Sequence, residues 1–223
     1  VSEHATSSNW NGFTLIIGSK NLSSWSLRPW LAMKQAGIAF EEVLIQLDEK
    51  ETDARIARYS PSGFVPVLLA GALKIWDSLA ICEYVAERFP EAGLWPSDAG
   101  ARALARSVSA EMHAGFAALR RHLPLECKAF YAGFEVPADA RADINRILAL
   151  WTDCRERYGK GGEMLFGRFT VADAMYAPVV LRFATYDVRL EGTAAAYADA
   201  VGALPAVREW LAAARVEPAP SGD

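Results

Sequence analysis

The sequence is short of most features that announce a function outright. Cys82, Cys127 and Cys154 stand far apart, three cysteines in 223 residues. With no paired spacing they exclude a disulfide framework and a cysteine-rich metal site, and they fit a reducing cytosol. Histidine is as scarce: His4, His113 and His122 lack ligand spacing, so no metal is expected. No apolar run approaches the roughly 20 residues that a membrane-spanning helix needs. The opening "VSEHATSSNWNG" lacks the charged-then-apolar order of a signal peptide, and no membrane partner is expected. The 23 basic and 27 acidic residues leave a net charge of −4 without a basic run, which argues against nucleic acid. There is no fixed-period repeat and no low-complexity tract. The first dozen residues read as a loose arm and the final "EPAPSGD" as a frayed tail, neither carrying function.

What is present is ample apolar material, 52% hydrophobic against 22% charged residues, ordered as two different patterns. "FTLIIG" reads as a strand, and Leu27, Trp30, Leu31 and Lys34 then keep helical spacing up to Gly37. "FEEVLIQL" alternates with period two through Val43, Ile45 and Leu47, which completes a βαβ unit whose strands should be parallel. "DEKETDARIARYSPSG" holds at most a short helix. "VPVLLAGALKIW" is a hairpin broken at Ala70-Gly71-Ala72, and "DSLAICEYVAERFP" is a helix stopped by Pro90. After a linker over 91–97, four stretches are helix-patterned: "ARALARSVSAEMHAGFAALRRHL", "ADARADINRILALWTDCRERYG", "VADAMYAPVVLRFATYD" and "LPAVREWLAAARV". The expected organisation is an α/β domain over 13–90 with the order βαβ-α-ββα, and an all-α domain over 98–215.

The segment "SKNLSSWSLRPWLAMKQAG" crowds four serines and Asn21 where a strand hands over to a helix. Short hydroxyl side chains there cap the helix, and a helix N-terminus also attracts anions. Asp77-Ser78 repeats the pattern before the later helix. Its hydroxyl and free N–H groups suit a carboxylate, and its aspartate suits an ammonium. Pro66, after Val65, stands at the start of a strand, where its missing donor is tolerated. Thr170 and Asp173 form a capping box and are read as structural. Arg120-Arg121 read either as a solvated pair or as the lining of a pocket for an acidic cosubstrate.

The serine-rich turn with Arg28, then "SPSGFVPVL", then "WDSLAICEYVAERFP", ahead of a helical half, resemble the soluble glutathione transferases, most nearly the serine-type zeta-like and bacterial branches. The resemblance covers about residues 13 to 215. It implies a thioredoxin-like N-terminal domain holding glutathione and a helical domain lining the second-substrate site. It further implies a cis Val65–Pro66 bond whose Val65 backbone pairs with the cysteinyl part of glutathione, and a γ-glutamyl end held by Asp77 and Ser78. An ungapped alignment on Arg28 and Leu31 brings Asn21 to the position of the usual catalytic serine and Ser23 to that of the zeta cysteine. Ser23 is expected to hold the sulfur, ahead of Asn21, with Ser24 third and serving as the cap. Trp25, His113 and Phe116 are expected at the second substrate.

The implied activity is addition of the glutathione thiol to a small electrophile, with glutathione as cosubstrate and the chain as a cytoplasmic homodimer. The alternatives are glutathione-dependent cis–trans isomerisation of a maleyl-type diacid, and glutathione or partner binding without turnover. The zeta turn reads Ser-Ser-Cys, whereas "NLSSWS" has no cysteine, which counts against the isomerase.

Overall fold

A computed structural model describes residues 12–218. The arm expected over 1–11 and the tail residues 219–223 lie outside the described residues. Strands β1 (Phe13–Gly18), β2 (Glu41–Ile45), β3 (Val67–Ala70) and β4 (Leu73–Ile75) form one sheet in the order β2-β1-β3-β4. β2 runs parallel to β1, β3 antiparallel, and β4 closes the hairpin on β3. Gly71 makes the hairpin turn at φ 61°, a backbone state that costs glycine little.

The period of two along β1 decides which helices lie on which face. Phe13, Leu15 and Ile17 point into the large core with α1 (Ser24–Gln35) and α3 (Ser78–Arg88), while Ile16 joins Ile45, Ile56 and Val67 under the short α2 (Thr52–Ala57). This is the thioredoxin-like arrangement expected. A 3-10 turn over Pro90–Ala92 leads to the helical half: α4 (Ala99–Ala114), α5 (Ala117–His122), α6 (Ala138–Tyr158), α7 (Val171–Thr185), α8 (Gly192–Ala203) and α9 (Pro205–Val216).

Two differences from the sequence reading have physical causes. The first predicted helix of this half is broken at Gly115-Phe116: the Gly115 N–H closes α4 on Glu111, and Phe116 takes the left-handed backbone at φ 60°. Helix α8, "GTAAAYADAVGA", has no predicted counterpart, because its alanines and two glycines give almost no amphipathic contrast. Tertiary burial of Ala194, Tyr197, Ala200 and Val201 supplies what periodicity does not.

The core does not stop at the domain boundary. Leu27, Trp30 and Leu31 of α1 share one buried cluster with Trp151, Tyr176, Phe183 and Trp210. Trp30 and Trp210 meet edge to face with centroids 5.1 Å apart. The start of α1 is therefore held from both sides. Thr170 and Asp173 form the capping box of α7, and the Asp173 carboxylate also accepts from the Leu165 N–H.

Candidate active site

Helix α1 begins at the end of the central strand, and its first turn is wired by serines. Ser23 is the N-cap: its hydroxyl accepts from the Ser26 N–H and donates to Ser26 Oγ at 2.8 Å, while Ser26 Oγ accepts the buried Gly18 N–H. Ser24, expected as the cap, is instead the first helical residue, and its Oγ accepts from Arg182 Nη2 at 3.0 Å. The capping role passes to Ser23 because the chain turns one residue earlier, closed by Leu22 and Ser23 N–H bonds to Ser19 O. Among the described residues the Trp25 N–H has no acceptor, so the helix N-terminus keeps a donor for an anion.

Asn21 is turned toward the helical half. Its Oδ1 accepts the Lys128 N–H, its carbonyl accepts the Cys127 N–H, and its own N–H donates to Glu217. Glu217 also accepts from the Lys20 N–H, while Trp210 donates to the Lys20 carbonyl. Five residues beyond the linker thus clamp the turn: Cys127, Lys128, Arg182, Trp210 and Glu217. Glu217 belongs to the segment read as a frayed tail, and that reading is corrected here: two bonds to backbone N–H groups dock it.

The second element of the site is the loop before β3. The Val65–Pro66 bond is cis, as the resemblance implied. Pairing in β3 begins only at Val67, so the Val65 N–H and C=O have no partner among the described residues. The third is the N-terminus of α3. Asp77 caps it, Oδ1 accepting from the Leu79 N–H at 2.9 Å, with half of its side chain in solvent. Ser78 is 1% exposed, and its hydroxyl has no hydrogen-bond partner among the described residues. One cavity of about 350 Å³ brings together Trp25, Phe64, Val65, Pro66, Asp77 and Ser78.

His113 does not line that cavity. Its Nε2 lies 3.0 Å from Asp77 Oδ2, and its ring meets Trp25 edge on at 5.2 Å. Burial holds its pKa below the ordinary histidine value, with Arg28 and Arg120 adding to burial and Asp77 opposing it. Phe116 is 8% exposed in the core cluster and lines neither cavity described here. It was expected at the second substrate, and the left-handed turn that ends α4 folds its ring into the core.

A second cavity, about 480 Å³, also borders Trp25 and is lined by Ser24, Trp25, Arg120 and Arg182 with Leu47 and Leu125. Against the Trp25 ring sits Arg28, 0% exposed, with all three guanidinium nitrogens unpartnered among the described residues. Burial first, then Arg120 and Arg182, lower its pKa to about 9. Sequence reasoning gave no role to Arg182, Ser26 or Glu217. Arg182 had a legible signal, being the only basic residue in the apolar run "VADAMYAPVVLRFAT"; the other two had none. Among the described residues no group of three His, Cys, Asp or Glu side chains could hold a metal, and no helix is long and apolar enough to cross a membrane.

A four-stranded thioredoxin-like sheet with an unpaired backbone edge at a cis-proline, followed by a helical domain that shares its core, defines a two-domain class of protein. Family models for the glutathione S-transferase N-terminal domain and C-terminal domain match residues 22–88 and 102–213. The chain belongs to the glutathione S-transferase family. It is 40% identical over 87 residues to glutathione S-transferase 1 of Dianthus caryophyllus, an alignment covering 39% of each chain. It is 26% identical over 193 residues to glutathione S-transferase Z2 of Arabidopsis thaliana, covering 82% of this chain and 84% of that one. Thus the chain spans under half of the first relative's length and most of the second's. A glutathione transferase homolog from Burkholderia, solved with bound glutathione, superposes with a TM-score of 0.70 at 21% identity, over 93% of this chain and all of that one.

Proposed function

We propose that the protein is a glutathione transferase that ionises the thiol of bound glutathione and adds it to a small electrophile. The observation that carries this reading is the cavity in which the unpaired Val65 backbone, the unpartnered Ser78 hydroxyl and the half-exposed Asp77 carboxylate converge. An extended peptide pairs with Val65 as an added strand. The α-carboxylate of its γ-glutamyl end takes the Ser78 hydroxyl and the start of α3, and its ammonium takes Asp77. The cysteinyl sulfur then reaches the start of α1.

Ser23 holds the sulfur in this proposal. Capping uses a lone pair of its hydroxyl, not its proton. When a thiolate arrives, the Ser26 hydroxyl can turn to donate to Ser23, which frees the Ser23 proton for sulfur. The Gly18 N–H, Ser26 and Ser23 then form a chain of donors ending on the thiolate, each bond strengthening the next. The Trp25 N–H and the helix dipole add to it. A free thiol of pKa about 8.5 is a few per cent ionised at pH 7, so a fall of about two units makes most of it reactive. Asn21 ranks behind both serines, since its amide oxygen docks the helical domain.

Trp25 borders both the glutathione cavity and the second one and contacts both substrates. The protein is cytoplasmic and serves detoxification in this reading. It is a homodimer, supported by the exposed apolar Phe64 (75%) and Leu73 (56%) on the thioredoxin-like domain. The test is a turnover screen with glutathione against aryl halides, epoxides, peroxides and maleyl diacids, alongside thiolate absorbance of the complex. Turnover in at least one class is expected; bound glutathione with no turnover in any class and no thiolate would overturn the catalytic reading.

A further inference from the structure

The second cavity has a charge pattern that names a ligand chemistry. Its innermost polar groups are cationic. Arg182 is 3% exposed, donates Nε to Leu123 O and Nη2 to Ser24 Oγ, and leaves Nη1 unpartnered among the described residues. Arg120 spends Nε and Nη2 on the carbonyls that end α4, and its Nη1 is also unpartnered. The Arg120 and Arg28 guanidinium groups lie 4.8 and 4.3 Å from the centre of the Trp25 ring. Two guanidinium groups therefore share one ring, with Arg182 close enough to repel both; Asp77, the carboxylate facing Arg28, is already engaged by His113 and α3, and Asp143, the one facing Arg120, accepts the Leu119 N–H. Buried donors without acceptors and clustered like charges both cost stability, and an anion would relieve both.

The outer wall has the opposite sign. Asp48 is exposed at the mouth and Glu126 half-buried beside it. A second negative charge at the outer end of a ligand would face these two. Between floor and mouth, Leu47, Leu125 and Trp25 offer apolar contact.

Resting on the transferase reading, we infer that the second substrate is an electrophile with a single carboxylate on an apolar body, the carboxylate seated on Arg120 and Arg182 and the apolar part between Leu47 and Leu125. The arrangement selects a monoanion over a neutral analogue by the free N–H groups, and over a diacid by Asp48 and Glu126.

The experiment compares 4-chloro-3-nitrobenzoate with 4-chloro-3-nitrobenzamide as electrophiles. It also compares S-(4-carboxybenzyl)glutathione with its amide as ligands in calorimetry. The acid is expected to win by about tenfold or more in kcat/KM and in affinity, as a charge-assisted contact gives. Arg120→Gln should remove that preference while leaving the glutathione KM within about twofold, and Arg120→Lys should restore part of it. Maleate should inhibit more weakly than benzoate, and Asp48→Asn should narrow that gap. Equal affinity for acid and amide overturns the inference whether or not any electrophile turns over, so the binding arm is independent of the transferase reading. If Arg120→Gln instead raises the pKa of bound glutathione and leaves the acid preference intact, the cluster serves the thiolate and the inference also fails.

Discussion

Replacing Ser23 by alanine separates the two jobs assigned to one hydroxyl. As the cap it satisfies the Ser26 N–H, and losing such a cap costs about 1 kcal/mol. Losing its bond to Ser26 Oγ costs about another. For a chain of this size about 2 kcal/mol lowers Tm by roughly 4–8 °C. The chemical role is read separately. A charge-assisted bond to a thiolate contributes about 1.5–3 kcal/mol, so the pKa of bound glutathione should rise by about one to two units. The assays are thermal denaturation and thiolate absorbance against pH in Ser23→Ala, Ser24→Ala and Ser26→Ala. Ser26→Ala should destabilise most, since it strands the buried Gly18 N–H, and should raise the thiol pKa less than Ser23→Ala does. Ser24→Ala should move the thiol pKa little. A Tm loss in Ser23→Ala with an unchanged thiol pKa would refute the dual role and leave Ser23 as a cap alone.

Ser78→Ala should raise the glutathione KM by an amount equivalent to about 1–3 kcal/mol with kcat nearly unchanged, because the contact is alike in ground and transition states; an unchanged KM contradicts the assignment. Glu217→Gln keeps the shape but leaves one accepting oxygen where two take the Lys20 and Asn21 N–H groups, so one bond is lost and the other weakened. It should lower Tm by a few degrees, and a wild-type melting curve would show the docking to be idle. Asp173 is buried, which pushes its pKa up to about 6 against 3.8. A carboxyl whose folded pKa is raised gives most stability while protonated, so its contribution falls as pH rises from about 4 to about 6. The loss is about 3 kcal/mol in full. Relative to Asp173→Asn, wild type should lose several degrees of Tm between pH 4.5 and 7; a constant difference would show that the hydrogen bonds to the carboxylate outweigh burial.

The order of strands and helices was legible because it rests on local signals. Period two in "FTLIIG" and "FEEVLIQL", Gly37 after a helix and Gly71 in a hairpin each act within a few residues. The capping box Thr170/Asp173 was legible for the same reason. Helix α8 was not, since its evidence is burial against other helices and not amphipathic contrast.

The site divides along the same line. By itself the sequence determined that serines stand at one helix start, that Asp77-Ser78 stands at another, and that Pro66 opens a strand, all properties of adjacent residues. Only the tertiary structure decided which serine caps, because that depends on where the chain turns after β1. It also decided that Asn21 faces Lys128, that Phe116 turns into the core, and that Arg28 and Arg120 meet at Trp25 with Arg182 close to both. Those three arginines lie on α1, α5 and α7, and although Arg182 stands out as the one basic residue of an apolar run, nothing in the sequence around any of them says that the three come together. Long-range packing brings them within reach, at a cost in desolvation that no local pattern records.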